Sequence, residues 1–348
     1  MKRILFTSVT SLLAMTAIAQ SDASDIVNVR LDARVDFQQT WNNKDIDNSN
    51  SGFAGKYFML RVDGNIIPGL SYSWRQRFNK STFDGNFFDS TDWIYLDYKI
   101  KNWDFSAGKQ VVAIGGWEYD RNPINIYDFS VFTGNIPCYQ MGASIGYNLT
   151  PSDQLKFQVT QSPFFTKENR NMYAYNLYYD GKHDFFHALY SVNLLETYKN
   201  HYISYISLGN KFDFGKCSLE LDFMNRASSH QVYFFKDCSL VSEFSYRPNS
   251  HWNIFAKYSY DVNNSGNTSD ACVLDGTELN MIGGGVEFYP LRKKIGDLRL
   301  HADCFYSWGK NRNNTDFMQN KTTFLNVGVT WFMNVYNLKR KSADTASI

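Results

Sequence analysis

The sequence has no apolar run approaching the roughly 20 residues that a membrane-spanning helix needs, and its mean hydropathy is −0.40. A helical membrane protein is therefore excluded. Charge of one sign is also missing, with 35 Lys and Arg against 34 Asp and Glu, so no basic stripe is present to bind nucleic acid. The five cysteines, Cys138, Cys217, Cys238, Cys272 and Cys304, are an odd number at wide, unpatterned spacing. Neither a disulfide framework nor a zinc knuckle can be read from them. Proline is scarce, at 7 in 348 residues, while 43% of the chain is apolar and 17% aromatic, with 28 Phe, 23 Tyr and 8 Trp. That composition excludes disorder and favours β structure.

Residues 1–19 read as a signal peptide, with Lys2 and Arg3 as the basic start, a mostly apolar stretch from Ile4 to Ile18, and Ala17-Ile18-Ala19 as the cleavage site. The chain is expected to leave the cytoplasm. No cysteine lies near the cut, which argues against a lipoprotein. Without Lys2 and Arg3 the mature chain carries 33 basic and 34 acidic residues, so bulk charge names no partner.

The first mature segment sets the period: Val27, Val29, Leu31, Ala33, Val35 and Phe37 alternate with Asn28, Arg30, Asp32, Arg34, Asp36 and Gln38. One face is apolar and the other polar, as in a strand between two unlike environments. The alternation returns to the end of the chain, through Phe58-Leu60-Val62, Ile94-Leu96-Tyr98, Leu219-Leu221-Phe223 and Leu325-Val327-Val329-Trp331 among others. About sixteen strands are predicted, an even number, each near the length that crosses a bilayer at a tilt. Short turns such as Pro68-Gly69 and Lys101-Asn102 alternate with longer loops at 40–52, 80–91, 111–138, 262–276 and 309–321. This is the pattern of an all-β transmembrane antiparallel barrel, with its turns in the periplasm and its loops outside.

A soluble sandwich or propeller would share the period. Tyr and Trp toward strand ends (Trp74, Trp93, Trp103, Tyr147, Trp252 and Trp308 among them) favour the barrel, because interfacial girdles take amphipathic rings. No linker divides the mature chain. The barrel domain is placed at 20–333 and a polar periplasmic tail at 334–348.

From Asp104 to Gln140 the chain reads DFSAGKQVVAIGGWEYDRNPINIYDFSVFTGNIPCYQ: a strand ending in Gly108-Lys109-Gln110, a Gly115-Gly116 break, Glu118, and a long loop that re-enters a strand at Tyr139. With the signal peptide, the strand count and the run Arg61 to Gly64, this resembles the phosphate-selective porin O and P family, in the form found in Bacteroidetes outer membranes. The resemblance implies a 16-stranded, trimeric outer-membrane porin whose third long loop, here 111–138, folds inward and narrows the lumen. It also implies a pore lined by arginines and lysines. This sequence departs from that pattern, because the inward basic positions are matched by acids such as Asp32, Asp36, Asp63, Asp97, Glu220, Glu243 and Glu287.

The expected pore-lining set is Arg30, Arg34, Arg61, Arg75 and Arg77 on the first three strands, Lys109 at the end of the fifth, and Glu118, Asp120, Arg121 and Asp128 in the third loop. A basic wall facing an acidic loop would set a field across the constriction. The bland alternative is a structural ladder in which each arginine pairs with a neighbouring aspartate. Both readings stay open on the sequence.

Three other motifs fall to simpler readings. Asp261-x-Asn263-x-Ser265-Gly266 begins like a calcium loop, but its twelfth position is Cys272 and strands flank it. His183 and His187 have a helical zinc spacing, yet on a strand they stand roughly 13 Å apart. Gly283-Gly284-Gly285 has no following helix to bind phosphate, and reads as thin packing at a subunit contact or under the inserted loop. No cofactor, metal or catalytic site is expected. The function read from the sequence is passive diffusion of small polar solutes or ions, with at most a mild anion preference that includes phosphate. The alternative is a surface receptor or adhesin barrel without transport. The expected partners are outer-membrane lipids, lipopolysaccharide and two further copies of the chain.

Overall fold

The computed structural model describes residues 25–80, 86–228, 234–266, 268–293, 296–314 and 319–339. The signal peptide lies outside them. Sixteen long strands run in chain order: β1 (Asp25–Asn42), β2 (Gly52–Ile67), β3 (Leu70–Arg77), β4 (Thr91–Ile100), β5 (Trp103–Val111), β6 (Tyr139–Thr150), β7 (Asp153–Gln161) and β8 (Tyr173–His183). They continue as β9 (Phe186–Tyr198), β10 (His201–Phe214), β11 (Cys217–Ser228), β12 (Asp237–Asn249), β13 (Trp252–Asn263), β14 (Thr277–Lys293), β15 (Gly296–Lys310) and β16 (Gln319–Lys339). Each pairs antiparallel with its neighbours in sequence, and β1 closes on β16 from Asp25↔Lys339 to Asn42↔Thr322. The result is a closed 16-stranded barrel with no free edge along the wall. A two-residue strand, Asp45–Ile46, folds back on β1 in the first long loop.

Side-chain burial is inverted relative to a soluble protein. Val192 is 55% exposed and Leu96 50%, while Asn176, Asn225, Asn326 and Thr330 are all at 0%. Apolar side chains thus coat the outside, and polar ones fill the interior, which is the arrangement a lipid solvent selects. Among the described residues no helix is long and apolar enough to cross a membrane.

Three expectations need correction. The tail does not begin at 334, because β16 continues to Lys339. Its apolar alternation runs on through Tyr336 opposite Val29 and Leu338 opposite Val27, and a register shift between Val29 and Arg30 hides it from a period count. Residues 340–348 lie outside the described residues. Long and short connections do not alternate throughout, since β9 and β10 are joined at the long-loop end by Lys199 and Asn200 alone, with Asn200 at φ 65°. Trp93 does not belong to an outer girdle. It is buried inside the barrel, donating to Ser73 Oγ at 2.8 Å.

Candidate constriction inside the barrel

The loop between β5 and β6 turns into the lumen. Within it lie helix α1 (Trp117–Asp120), a 3-10 turn (Pro123–Asn125) and helix α2 (Val131–Asn135). Entry to the loop depends on glycine. Gly116 has φ 106°, a backbone conformation that favours glycine, and a Cβ at Gly209 on β10 would lie 2.7 Å from the Gly116 Cα, so the turn needs glycine at 116 and the close approach of loop to wall needs it at 209.

The loop has one apolar side and one polar side. Val112, Ile114, Tyr119, Val131, Phe132 and Ile136 pack with Ala174, Leu195, Ile203, Tyr205, Met224 and Leu279 of the wall, and with Cys272 and Val273 from the loop between β13 and β14. The apolar run in the loop therefore finds a wall to rest on. A second, smaller cluster holds Phe255, Met281 and Phe305 under Tyr127, and there a Cβ at Gly283 would lie 2.2 Å from the Phe305 ring. The triple glycine thus makes room for a ring beneath the inserted loop.

Two wall carboxylates take the amide groups that open the two short helices. Asp222 accepts from the Trp117 and Glu118 amides at 2.8 Å each, and Asp261 from Val131 at 2.9 Å and Phe132 at 3.3 Å. These are the donors a helix start leaves unsatisfied. Arg34 donates to the Ile126 carbonyl at 2.8 Å, Arg299 to Asn125 Oδ1 at 2.9 Å, and the Tyr127 hydroxyl to Glu287 at 2.6 Å.

The expected site residues of the first three strands and of the third loop lie inside the barrel, but they do not face one another as the field reading supposed; Lys109 instead stands in register with Ile94 and Met141 of the exposed apolar face, and Gln110 is the inward residue. Glu118 is buried against Lys257 on β13 at 2.5 Å, with Ser130 and Thr133 also donating to it. Burial opposes its ionisation, yet Lys257 and the two hydroxyls hold its carboxyl below the ordinary range. Asp128 gives its backbone carbonyl to Lys257, and burial pushes its carboxyl up to about 6. Arg121 bridges Glu220 and Glu243, the latter at 2.6 Å. Asp120 ends α1, half-buried.

The arginines, in turn, meet acids of their own wall sector. Arg34 holds Asp36 at 2.6 Å, Arg61 holds Asp63 at 2.7 Å, and Arg30 reaches Asp63 at 3.9 Å. Arg75 and Arg77 converge on Asp92 at 2.9 and 3.0 Å, and Lys80 stands 3.9 Å from the same carboxylate. Arg75 also lies 3.7 Å above the Trp93 ring and donates to the Tyr139 hydroxyl and to Asn122. Lys109 donates to the Phe88 carbonyl at 3.0 Å.

Asp92 was not legible as a site residue. The register passes from Arg75↔Trp93 to Gln76↔Thr91, so Asp92 is the extra residue of a bulge and turns inward out of parity. Lys257, Glu220, Glu243 and Glu287 were legible as inward charges, but their partners in the third loop were not.

A family profile described as phosphate-selective porin O and P matches residues 27–232. The chain belongs to this family. No curated protein matches it in sequence. Among solved structures, the outer-membrane channel DcaP of Acinetobacter baumannii superposes with a TM-score of 0.64 at 13% identity, over 90% of this chain and 99% of that one. The anion-selective porin from Comamonas acidovorans gives 0.61 at 11% identity, over 88% and 99%. A trimer form of the outer-membrane protein OmpT of Vibrio cholerae gives 0.58 at 12% identity, over 88% and 100%. At these identities the likeness is one of fold. This family member is an outer-membrane porin, a β-barrel for passive diffusion.

Proposed function

We propose that this porin passes small polar solutes with a mild preference for anions and without a dedicated phosphate site. The observation that carries this reading is Asp92. It is buried at 0% exposure and shared by Arg75, Arg77 and Lys80, so one carboxylate stands against three cations. Other inward charges pair one to one, Arg34 with Asp36, Lys257 with Glu118, and Arg299 with Glu287 at 3.3 Å, while Arg226 meets both Asp237 and Asp270. The donors that Arg34, Arg75, Arg77 and Arg121 spend on carboxylates and loop groups are not left to form a phosphate cage. Reversal potentials in a chloride gradient, repeated with phosphate, test the reading. A chloride-to-potassium permeability ratio modestly above one is expected, and block of the chloride current by micromolar phosphate would refute it.

The reading extends to assembly as a homotrimer. The trimeric form of the Vibrio cholerae protein supports it, as do the small outward residues Ala107, Ala256, Gly284 and Ala302, which let walls approach. Outer-membrane lipids and lipopolysaccharide would surround it. On this reading the barrel acts as a channel, which the family match supports. Sizing in mild detergents checks the trimer, for which a monomer in all of them would be fatal.

A further inference from the structure

On the short-turn side of the third loop, a cavity of about 750 Å³ lies between the loop and the wall. Three residues of β12 line it in a row, Glu243, Ser245 and Arg247, the alternate positions that share the inward face of one strand. Ser218 of β11 stands opposite Ser245, and Asn253 of β13 falls next to Arg247 where the register steps from Tyr246↔Ile254 to Asn249↔Trp252. Unused bonding capacity sets this row apart. Lys257, opposite Glu243 in register, is taken up by Glu118 and the Asp128 carbonyl, whereas Arg247 forms no ion pair among the described residues. Glu243 accepts from Arg121 at Oε2 alone, so its Oε1 is open to a donor, as are the Ser218 and Ser245 hydroxyls to a partner. Asn253 is 5% exposed; its amide nitrogen donates to Glu287 at 2.8 Å, and its Oδ1 is buried in the cavity wall without a hydrogen-bond partner.

The order along the strand is acid, neutral, base, over roughly 13 Å between the Glu243 and Arg247 Cα atoms. A short peptide carries the complementary groups in the same order: ammonium, amide, carboxylate. We infer that this row binds a zwitterionic peptide of about three residues as it crosses the pore, an inference that rests on the reading of the barrel as a channel for small polar solutes. The N-terminal ammonium meets Glu243, and the C-terminal carboxylate meets the Arg247 guanidinium, whose fork matches its two oxygens. Between them the serine hydroxyls and Asn253 Oδ1 take the peptide N–H and C=O groups, which must find partners once they leave water. A solute carrying only negative charge would face Glu220, Glu243 and Glu287, and one carrying only positive charge would face Arg121, Lys211 and Arg247. A solute with both charges is matched at both ends. Length enters as well: an extended tripeptide spans roughly 10 Å and brings its ends within reach of both side chains, whereas a free amino acid, with one carbon between its charges, engages one end at a time.

The test measures block of the single-channel current of the full-length porin in planar bilayers by trialanine, N-acetyl-trialanine, trialanine amide and alanine. Trialanine should reach half-block at a concentration at least tenfold below each of the other three. Arg247→Gln should weaken block by trialanine at least tenfold and leave block by trialanine amide unchanged, in a protein whose unboiled gel mobility shows the barrel intact. Ser218→Ala combined with Ser245→Ala, which removes only the two hydroxyls, should weaken block by trialanine at least threefold and leave alanine unaffected. Equal block by trialanine and its N-acetyl form would overturn the proposal and make Arg247 a contact for any anion. So would block by trialanine that survives both variants. Open-channel conductance and the chloride reversal potential, read before peptide is added, separate the two readings. Ordinary values with indifferent peptides remove this site alone, whereas no current at all removes the channel reading and the site with it.

Discussion

Glu118 in the third loop and Lys257 on β13 form an ion pair at 2.5 Å with both side chains at 5% exposure or less, joining residues 139 apart in sequence. One of the three loop acids expected to polarise the pore is therefore a loop anchor. Removing one partner of a buried pair strands the other charge, at a cost of about 3–5 kcal/mol. Glu118→Gln should undock the loop, raising single-channel conductance and its noise and speeding amide exchange across 117–135. Wild-type conductance and exchange would show that the apolar contacts alone hold the loop.

Deleting 118–134 removes both short helices and their anchors. The expected outcome is a severalfold rise in single-channel conductance of the reconstituted protein. An unchanged value would mean that the loop does not narrow the path.

Asp92→Asn removes the carboxylate that Arg75, Arg77 and Lys80 share. The uncompensated cations should raise the anion-to-cation permeability ratio a few-fold. Reversal potentials at low salt, where screening is weakest, give the measurement, and a shift toward cations would contradict the charge count.

Selectivity should also depend on pH. Burial pushes Asp128 up to about 6, against the opposing pull of Lys257. The carboxylate is present above that pH and lost below it, so anion preference should increase as pH falls from 7 to 5. Asp128→Asn should show the acid-side selectivity at pH 7 and lose most of the step, and a step that survives intact would assign it to another group.

A wall glycine offers a test of packing. A Cβ at Gly283 would fall 2.2 Å from the Phe305 ring and 2.5 Å from the Cys304 carbonyl. Gly283→Val should force that ring away, at about 1–3 kcal/mol of overpacking strain. Unboiled gel mobility against temperature should then show the barrel melting earlier than wild type, whereas Gly55→Ala on β2, with nothing within 4 Å, should move it less.

The sequence by itself determined the wall. Side chains alternate across a strand with period two, so Val27 to Phe37 on one face and Arg30, Asp32, Arg34 and Asp36 on the other had only one arrangement consistent with a polar interior and an apolar surround. The same period could not determine which charges meet. It lost its phase at the bulge that turns Asp92 inward and at the shift that carries β16 past 333, since one inserted residue reverses every later assignment. The partners of Glu118, Arg121 and Arg34 were beyond it as well. Those contacts join a loop to strands about 90 to 140 residues away, and they exist only once β1 has closed on β16 and set the opposite walls at a distance the third loop can span.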